Sequence, residues 1–446
     1  MPAETTQMKF RKFASRLLAG ASLTSLVLLL VSCGASNIVD YVYVISNQNS
    51  PGQISVYDMD SESGQLYQIA DSPYPSGGVN PVYEVVAPGG KHLYVANHDS
   101  NAIVMFAIGT DAKLYPLETI TTPGTEPVAL AINPSGTALY VLDYYAPAAP
   151  GQPSYTDLNP GPGAVIVYSV DPDTGDLNPT PLANGVANYW DVQCFPANLT
   201  VTPNGNDLYV TNTNSVVVTT APPVTGTIPQ LPAGCPSSGT ISEFAVNSSS
   251  GTGGTQTVTG LTPIGNPLPP LNTSVVTGIT MSAGSAPTGI AADPGNGAVY
   301  ITDSALNVVD SYAIQSTGAL SLTTTTPTGN MPMGAVVFGK SGSKGTYLYV
   351  SNYSDGTVSS YSLSAGVPTT ISTTDSGSAG PLCMVIDPDL QRYLFVADYV
   401  GAGVGGDFLN PATGTLTPDL GSPYLAQAQP TCVAAVSHRG NNQGLQ

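Results

Sequence analysis

A short apolar run ending in Asn or Asp recurs seven times, and this repeat limits the possible folds more than any other feature of the chain. The copies are Tyr43-Val44-Ile45-Ser46-Asn47, Tyr94-Val95-Ala96-Asn97, Tyr140-Val141-Leu142-Asp143, Tyr209-Val210-Thr211-Asn212, Tyr300-Ile301-Thr302-Asp303, Tyr349-Val350-Ser351-Asn352 and Phe395-Val396-Ala397-Asp398. Each copy after the first follows an apolar run opened by a proline: Pro81, Pro127, Pro196, Pro287, Pro332 and Pro381. Each is followed by an alternating run such as Gln53-Ile54-Ser55-Val56-Tyr57, then a turn such as Asp171-Pro172-Asp173-Thr174-Gly175 and a fourth run. Four short strands per unit, punctuated by turn residues, describe one blade of a radial β architecture. The first copy lacks its proline run, and Pro430-Thr431-Cys432-Val433-Ala434-Ala435-Val436 supplies it from the other end of the chain. The expectation is an all-β, seven-bladed β-propeller of four-stranded antiparallel blades over 40–438, closed by the C-terminal strand pairing into the first blade. A tail follows at 439–446.

Composition agrees. The 446 residues include 48 Gly and 40 Pro, which helix interiors do not tolerate. Charged residues are only 9% of the chain, and the formal net charge is −19. Nucleic-acid binding is excluded, because phosphate contacts need Lys and Arg.

The N-terminus reads as a targeting signal. Lys9, Arg11, Lys12 and Arg16 precede an apolar run from Leu17 to Val31, the pattern of a secretory signal that is too short to span a bilayer comfortably. The ending Leu30-Val31-Ser32-Cys33 resembles the bacterial lipobox, which implies acylation of Cys33 after removal of 1–32, with 33–39 as a tether. Gly34-Ala35-Ser36-Asn37, with no Asp after the Cys, resembles outer-membrane sorting. An exported, lipid-anchored envelope protein is expected, with the membrane as one partner. Losing 1–32 takes away those four basic residues and Glu4, leaving 6 Lys+Arg against 28 Asp+Glu, net −22. The remaining Cys194, Cys235, Cys383 and Cys432 form an even set, as in exported disulfide-bonded proteins. Three pairings are open. Repeat position favours Cys194 with Cys235 in the loops of blade 4, and Cys383 with Cys432 at equivalent positions of neighbouring inner strands.

The repeat resembles the Tyr-Val-Thr-Asn propeller repeat, spelled literally at Tyr209–Asn212, and the wider pattern is similar to the seven-bladed lactonase-type propellers, which include 6-phosphogluconolactonase. That resemblance covers nearly all of 40–438. It implies catalysis by Glu, His and Arg at the channel mouth, with an Asn-Arg-Gly turn after the Tyr-Val strand. This chain has no such turn: the corresponding residues are His98-Asp99, Tyr144, Thr213, Ser304, Tyr353 and Tyr399. A phosphorylated lactone also needs cations that the chain scarcely offers, so 6-phosphogluconolactonase activity is not expected. Fold alone does not fix activity.

Counting from the proline, Pro+2 is Tyr83, Ala129, Asn198, Gly289, Gly334, Cys383 and Cys432. Strand alternation puts this row, with Pro+4, on the face toward the axis. Long insertions at about 144–162, 181–195, 213–238 and 263–286 fall on one end, around blades 3–5. The motif Asn/Asp residues on that end suit Asx turns. The expected function is binding of a small molecule, glycan or protein there, with Tyr144, Tyr145, Trp190, Asn198, Tyr353 and Tyr399 as contacts, by a monomeric propeller. The alternative is a hydrolase of an uncharged lactone, with His98 and Glu126 as general base and orienter. Glu84, at an otherwise apolar Pro+3 position, is a further candidate. Asp171, Asp173 and Asp176 have a calcium-like spacing that also fits a plain hairpin, His92 and His438 stand alone, and no metal or cofactor is expected.

Overall fold

The computed structural model describes residues 38–438 except 48–49, 149–150, 152–153, 157–159, 180–188, 214–215, 218–224, 227–234, 251–255, 268–276 and 340–345. The targeting segment with Cys33, and the tail 439–446, lie outside these residues. Seven antiparallel sheets make seven blades. Blade 1 uses both ends of the chain: Pro430–Ser437 pairs with Ile38–Ser46, which pairs with Gln53–Asp60. The other inner strands are Pro81–Val86, Thr125–Ile132, Pro196–Val201, Pro287–Ala292, Pro332–Phe338 and Pro381–Ile386. Blades 2, 5 and 6 have four strands each. Blade 4 is wider, because Gln256–Ile264 and Thr277–Thr280 both pair with its third strand, Thr240–Ser250. Among the described residues no helix is long and apolar enough to cross a membrane.

The tyrosine of the repeat fastens four of the blades each to the next. It sits fully buried in the second strand, and in blades 1, 2, 4 and 6 its hydroxyl crosses to a carbonyl in the outer hairpin of the following blade, whereas the Tyr140 hydroxyl of blade 3 has no hydrogen-bond partner among the described residues. Tyr43 donates to Ala112 O at 3.1 Å, Tyr94 to Gly175 O at 2.8 Å, Tyr209 to Gly318 O at 2.7 Å and Tyr349 to Gly414 O at 3.1 Å. The accepting residues all have φ between 64° and 82°, a left-handed turn that favours glycine. Blade 7 has Phe395 at the tyrosine position, and Tyr393 instead donates to Glu62 O in blade 1 at 3.0 Å. At the join from blade 5 to blade 6 the corresponding carbonyl, Gly366 O of blade 6, accepts from Ser311 Oγ of blade 5 at 2.6 Å.

Around the axis the inner strands are crowded. A Cβ added at Gly289 or Gly334 would lie 2.3 Å from a carbonyl of the next inner strand, Met333 O or Leu382 O. Hydroxyls bridge the same gaps: Thr288 to Pro332 O, Ser351 to Leu382 O and Thr431 to Pro81 O, at 2.8–2.9 Å. Cys383 and Cys432 form a disulfide between blades 7 and 1, with Cα atoms 4.8 Å apart. Cys194 and Cys235 form a second one between the two loops of blade 4. Simple alternation fails at the strand starts, because the register shifts just after the proline in most blades. Such a bulge turns consecutive residues toward one side. Both Pro+1 and Pro+2 therefore line an axial cavity of about 120 Å³, including Val82 with Tyr83, Ala197 with Asn198 and Thr431 with Cys432.

Acidic side chains are buried throughout the ring. Burial pushes Asp40 and Asp398 up to about 8, and Asp407, Asp419 and Glu243 up to about 7. Burial also raises Glu84, which faces the backbone of Ile45 and Ala434 in blade 1, and the repeat's Asp143 well above the ordinary range. These carboxyls keep their protons in the folded chain at pH values where the unfolded chain has lost them. The folded state then binds more protons, so stability falls as pH rises through the folded values.

Two outcomes follow from this packing. Tyr94→Phe leaves the Gly175 carbonyl without its buried donor and should cost about 1–2 kcal/mol, read as a lower urea midpoint with unchanged circular dichroism. The wild-type melting temperature should be higher at pH 5 than at pH 8; equal values would mean that the buried acids are ionised in the fold.

Candidate functional site

At the end of the ring where the inner strands begin, the residue before each proline has a left-handed backbone in six blades: Asn80, Glu126, Phe195, Met331, Gly380 and Gln429, with φ between 55° and 74°. Its carbonyl is held by the residue after the Asn/Asp of the repeat, as in His98 N–H to Asn80 O at 2.9 Å and Tyr399 N–H to Gly380 O at 2.8 Å. The repeat thus brings the residue after one motif and the residue before the next proline to the rim of the axial cavity. Because positive φ recurs around the ring, it marks the scaffold at Glu126 and not local strain.

His98 and Glu126 use this arrangement. His98 opens a short 3-10 turn, His98–Ser100, directly after the second strand of blade 2. Glu126 precedes Pro127 in blade 3, and its N–H donates to Asn101 Oδ1 at 2.7 Å. Met331 and Asn307 repeat that contact at 2.8 Å, so the scaffold alone places Glu126. The imidazole is only 8% exposed overall. Its Nδ1 lies 2.6 Å from Asp99 Oδ1, and its Nε2 lies 3.8 Å from Glu126 Oε2. The first distance is a short hydrogen bond and the second is too long for one. The pair converges, but the orienting carboxylate is Asp99, and Glu126 faces the other ring nitrogen. Hydrogen bonding to His98 holds the Asp99 carboxyl below its ordinary range, so it is an ionised acceptor.

His98 and Glu126 do not themselves line the axial cavity, but Val82, two positions beyond Asn80, and Val128, two beyond Glu126, do. The cavity's polar lining includes Tyr83, Asn198 and Thr431. Asn198 accepts from Leu199 N–H at 2.9 Å.

The aromatic residues are not the exposed platform that the sequence suggests. Tyr144 and Tyr145 are 5% and 2% exposed and pack edge to face at 4.9 Å, with Phe195 at 6.0 Å from Tyr144. They belong to a core cluster joined by Tyr155 and Trp190. The second strand of blade 3 runs on to Tyr145, which carries both rings under the insertion. Trp190 is half-buried and pairs with Val165 in the third strand, away from the axis. Tyr399 is 3% exposed, and Tyr353 is half-buried beside Gly380. Much of the 181–195, 213–238 and 263–286 insertions lies outside the described residues.

The repeat's Asn and Asp side chains act structurally. Asn97 accepts from Ser76 Oγ at 2.9 Å, Asp143 from Gly124 N–H at 3.0 Å, Asp303 from Ala286 N–H at 3.0 Å and Asn352 from Gly329 N–H at 3.0 Å. Each pins the loop that leads into its own inner strand. Asp171 likewise accepts from Asp173 and Thr174 N–H, as a hairpin residue does. Sequence reasoning passed over Asp99 as a partner, although it is adjacent to His98. It also passed over Asn80, for which the only signal was its place before a repeat proline.

The family model "Lactonase, 7-bladed beta-propeller" matches residues 35–127 and 84–145, about a quarter of the chain, and that stretch contains His98, Asp99 and Glu126. A 6-phosphogluconolactonase of Xenorhabdus nematophila is 34% identical over 93 residues, covering 21% of this chain and 26% of the relative's length. Among solved structures, the periplasmic gluconolactonase of Pseudomonas aeruginosa superposes with a TM-score of 0.62 at 16% identity, over 89% of this chain and 99% of that one. A putative 6-phosphogluconolactonase of Bacteroides uniformis gives 0.61 at 17%, over 89% and 99%. The chain thus has the fold of the lactonase-type seven-bladed β-propellers, and its residues 35–145, which run from blade 1 to the second strand of blade 3, match the sequence model of that family.

Proposed function

We propose that the protein hydrolyses an uncharged lactone, with His98 as general base at the rim of the axial cavity. The observation that carries this reading is the placement of one imidazole between two carboxylates, within the stretch that matches the lactonase model. Asp99 accepts the Nδ1 proton and leaves the Nε2 lone pair for a water molecule. The water oxygen adds to the lactone carbonyl as its proton passes to Nε2. Glu126, 3.8 Å away, stabilises the imidazolium so formed. The tetrahedral intermediate collapses with cleavage of the ring C–O bond, the leaving oxygen takes the proton back, and the product is a hydroxy acid.

Charge supports the choice of substrate. The site holds two carboxylates, and among the described residues Lys91, Lys113 and Arg392 all lie in turns at the opposite end of the ring. A phosphorylated lactone would meet repulsion without a cationic partner. The second reading, binding of a ligand or partner around blades 3–5, draws on the half-buried Trp190 and Tyr353 and on the disulfide that ties the blade 4 loops together.

A panel of neutral and phosphorylated lactones decides between these readings. Wild type should open a neutral lactone and not a phosphorylated one, and His98→Ala should lower kcat by about 100-fold or more. No turnover on any member, or equal rates in the variant, would move the function to the binding reading.

The basic patch, the apolar run, the Leu-Val-Ser-Cys ending and the two disulfides support export and lipid attachment at Cys33. Cys33→Ala should release the protein from the membrane fraction; unchanged fractionation would refute the anchor.

A further inference from the structure

We propose that a chain of side-chain hydrogen bonds reaching from blade 1 into blade 2 sets the tautomer of His98, with Asn80 and Asn47 as positioning residues. The proposal rests on the reading of His98 as a base, and its members come from outside the His98–Asp99–Glu126 group. Asn80 Nδ2 donates to Asp99 Oδ1 at 3.0 Å, the same oxygen that faces His98 Nδ1. Asn47 Nδ2, in blade 1, donates to Asn80 Oδ1 at 3.1 Å. With Glu126 of blade 3 beyond the imidazole, the series runs through blades 1, 2 and 3.

Direction is fixed by chemistry. The amide nitrogens of Asn47 and Asn80 are both spent as donors toward Asp99, and the Asn80 oxygen accepts from Asn47. Every dipole therefore points at Asp99, which as a carboxylate can only accept. The nitrogen of His98 that faces it must carry the proton, and neutral His98 keeps its lone pair on Nε2. Aligned hydrogen bonds polarise one another, so a residue at the far end contributes to holding Asp99 in place. Among the described residues, the charged groups in ion-pair contact with His98 are Asp99 and Glu126.

A fastening role is the competing explanation, because blade 6 has a similar bridge, Asn330 Nδ2 to Asp355 Oδ1 at 2.8 Å, with Tyr353 where blade 2 has His98. The test therefore reads the imidazole itself. The chain has three histidines, so nitrogen-15 NMR can resolve His98. Asn80→Gly removes the side chain and accommodates the local φ of 57°, as Gly380 does at the same position of blade 7. Asn47→Ala removes the upstream amide and leaves Asn80 in place.

In wild type, neutral His98 should carry its proton on Nδ1. In Asn80→Gly the Nε2–H tautomer should become populated, and kcat on the best neutral lactone should fall by about 10- to 100-fold with KM changed by less than about twofold. Asn47→Ala should shift both in the same direction by less. Asp99→Asn gives the full tautomer change for reference. The proposal is overturned if both upstream variants keep the wild-type tautomer while Asp99→Asn changes it. If wild type opens no lactone, the catalytic reading fails alone, and the tautomer still decides the relay.

Discussion

The ring depends on one contact repeated between blades: a buried tyrosine hydroxyl donating to a left-handed turn carbonyl of the next blade. A blade has an apolar face on each side and cannot bury both alone. The tyrosine ring fills the gap to its neighbour, and the hydroxyl satisfies a carbonyl that burial would otherwise strand. The last link uses a different residue, Tyr393, to reach blade 1. The disulfide and the C-terminal strand close the same seam from the axis, so the weakest join of a ring is tied covalently, through hydrogen bonds and by strand exchange.

This scaffold also builds the candidate site. The repeat aims the residue after each motif, and the residue before each proline, at the mouth of the axial channel. Most blades fill these places with apolar or small groups. Between blades 2 and 3 they hold His98 and Glu126, and Asn47 of blade 1 leads into them through Asn80. A closed ring allows such a chain, because residues far apart in sequence become lateral neighbours on one rim. The low charge of the chain has a related consequence: carboxyls that burial keeps protonated cost little in mildly acidic surroundings, where the unfolded chain is losing its charge as well.

The fold was legible because its information is local and repeated. Seven Tyr-Val motifs, their prolines and the displaced Pro430 strand each name an element, and period-2 alternation separates the faces. The candidate site was legible only in part. His98 and Glu126 stood out as ionisable residues at repeat positions that elsewhere are mostly uncharged. Tyr144, Tyr145 and Tyr399 misled, since an aromatic ring in a loop reads the same whether it caps the surface or fills the space beneath an insertion.

The sequence by itself determined the number of blades, the closure of the ring and the end that carries the variable loops, because these follow from periodicity and chain order. Only the tertiary structure decided that Asp99 and not Glu126 takes the Nδ1 side of His98, that bulges turn Pro+1 residues into the channel, and that Asn80 and Asn47 line up behind the imidazole. Those relations depend on backbone angles and on the sideways spacing of blades, and neither is written in the order of residues along the chain.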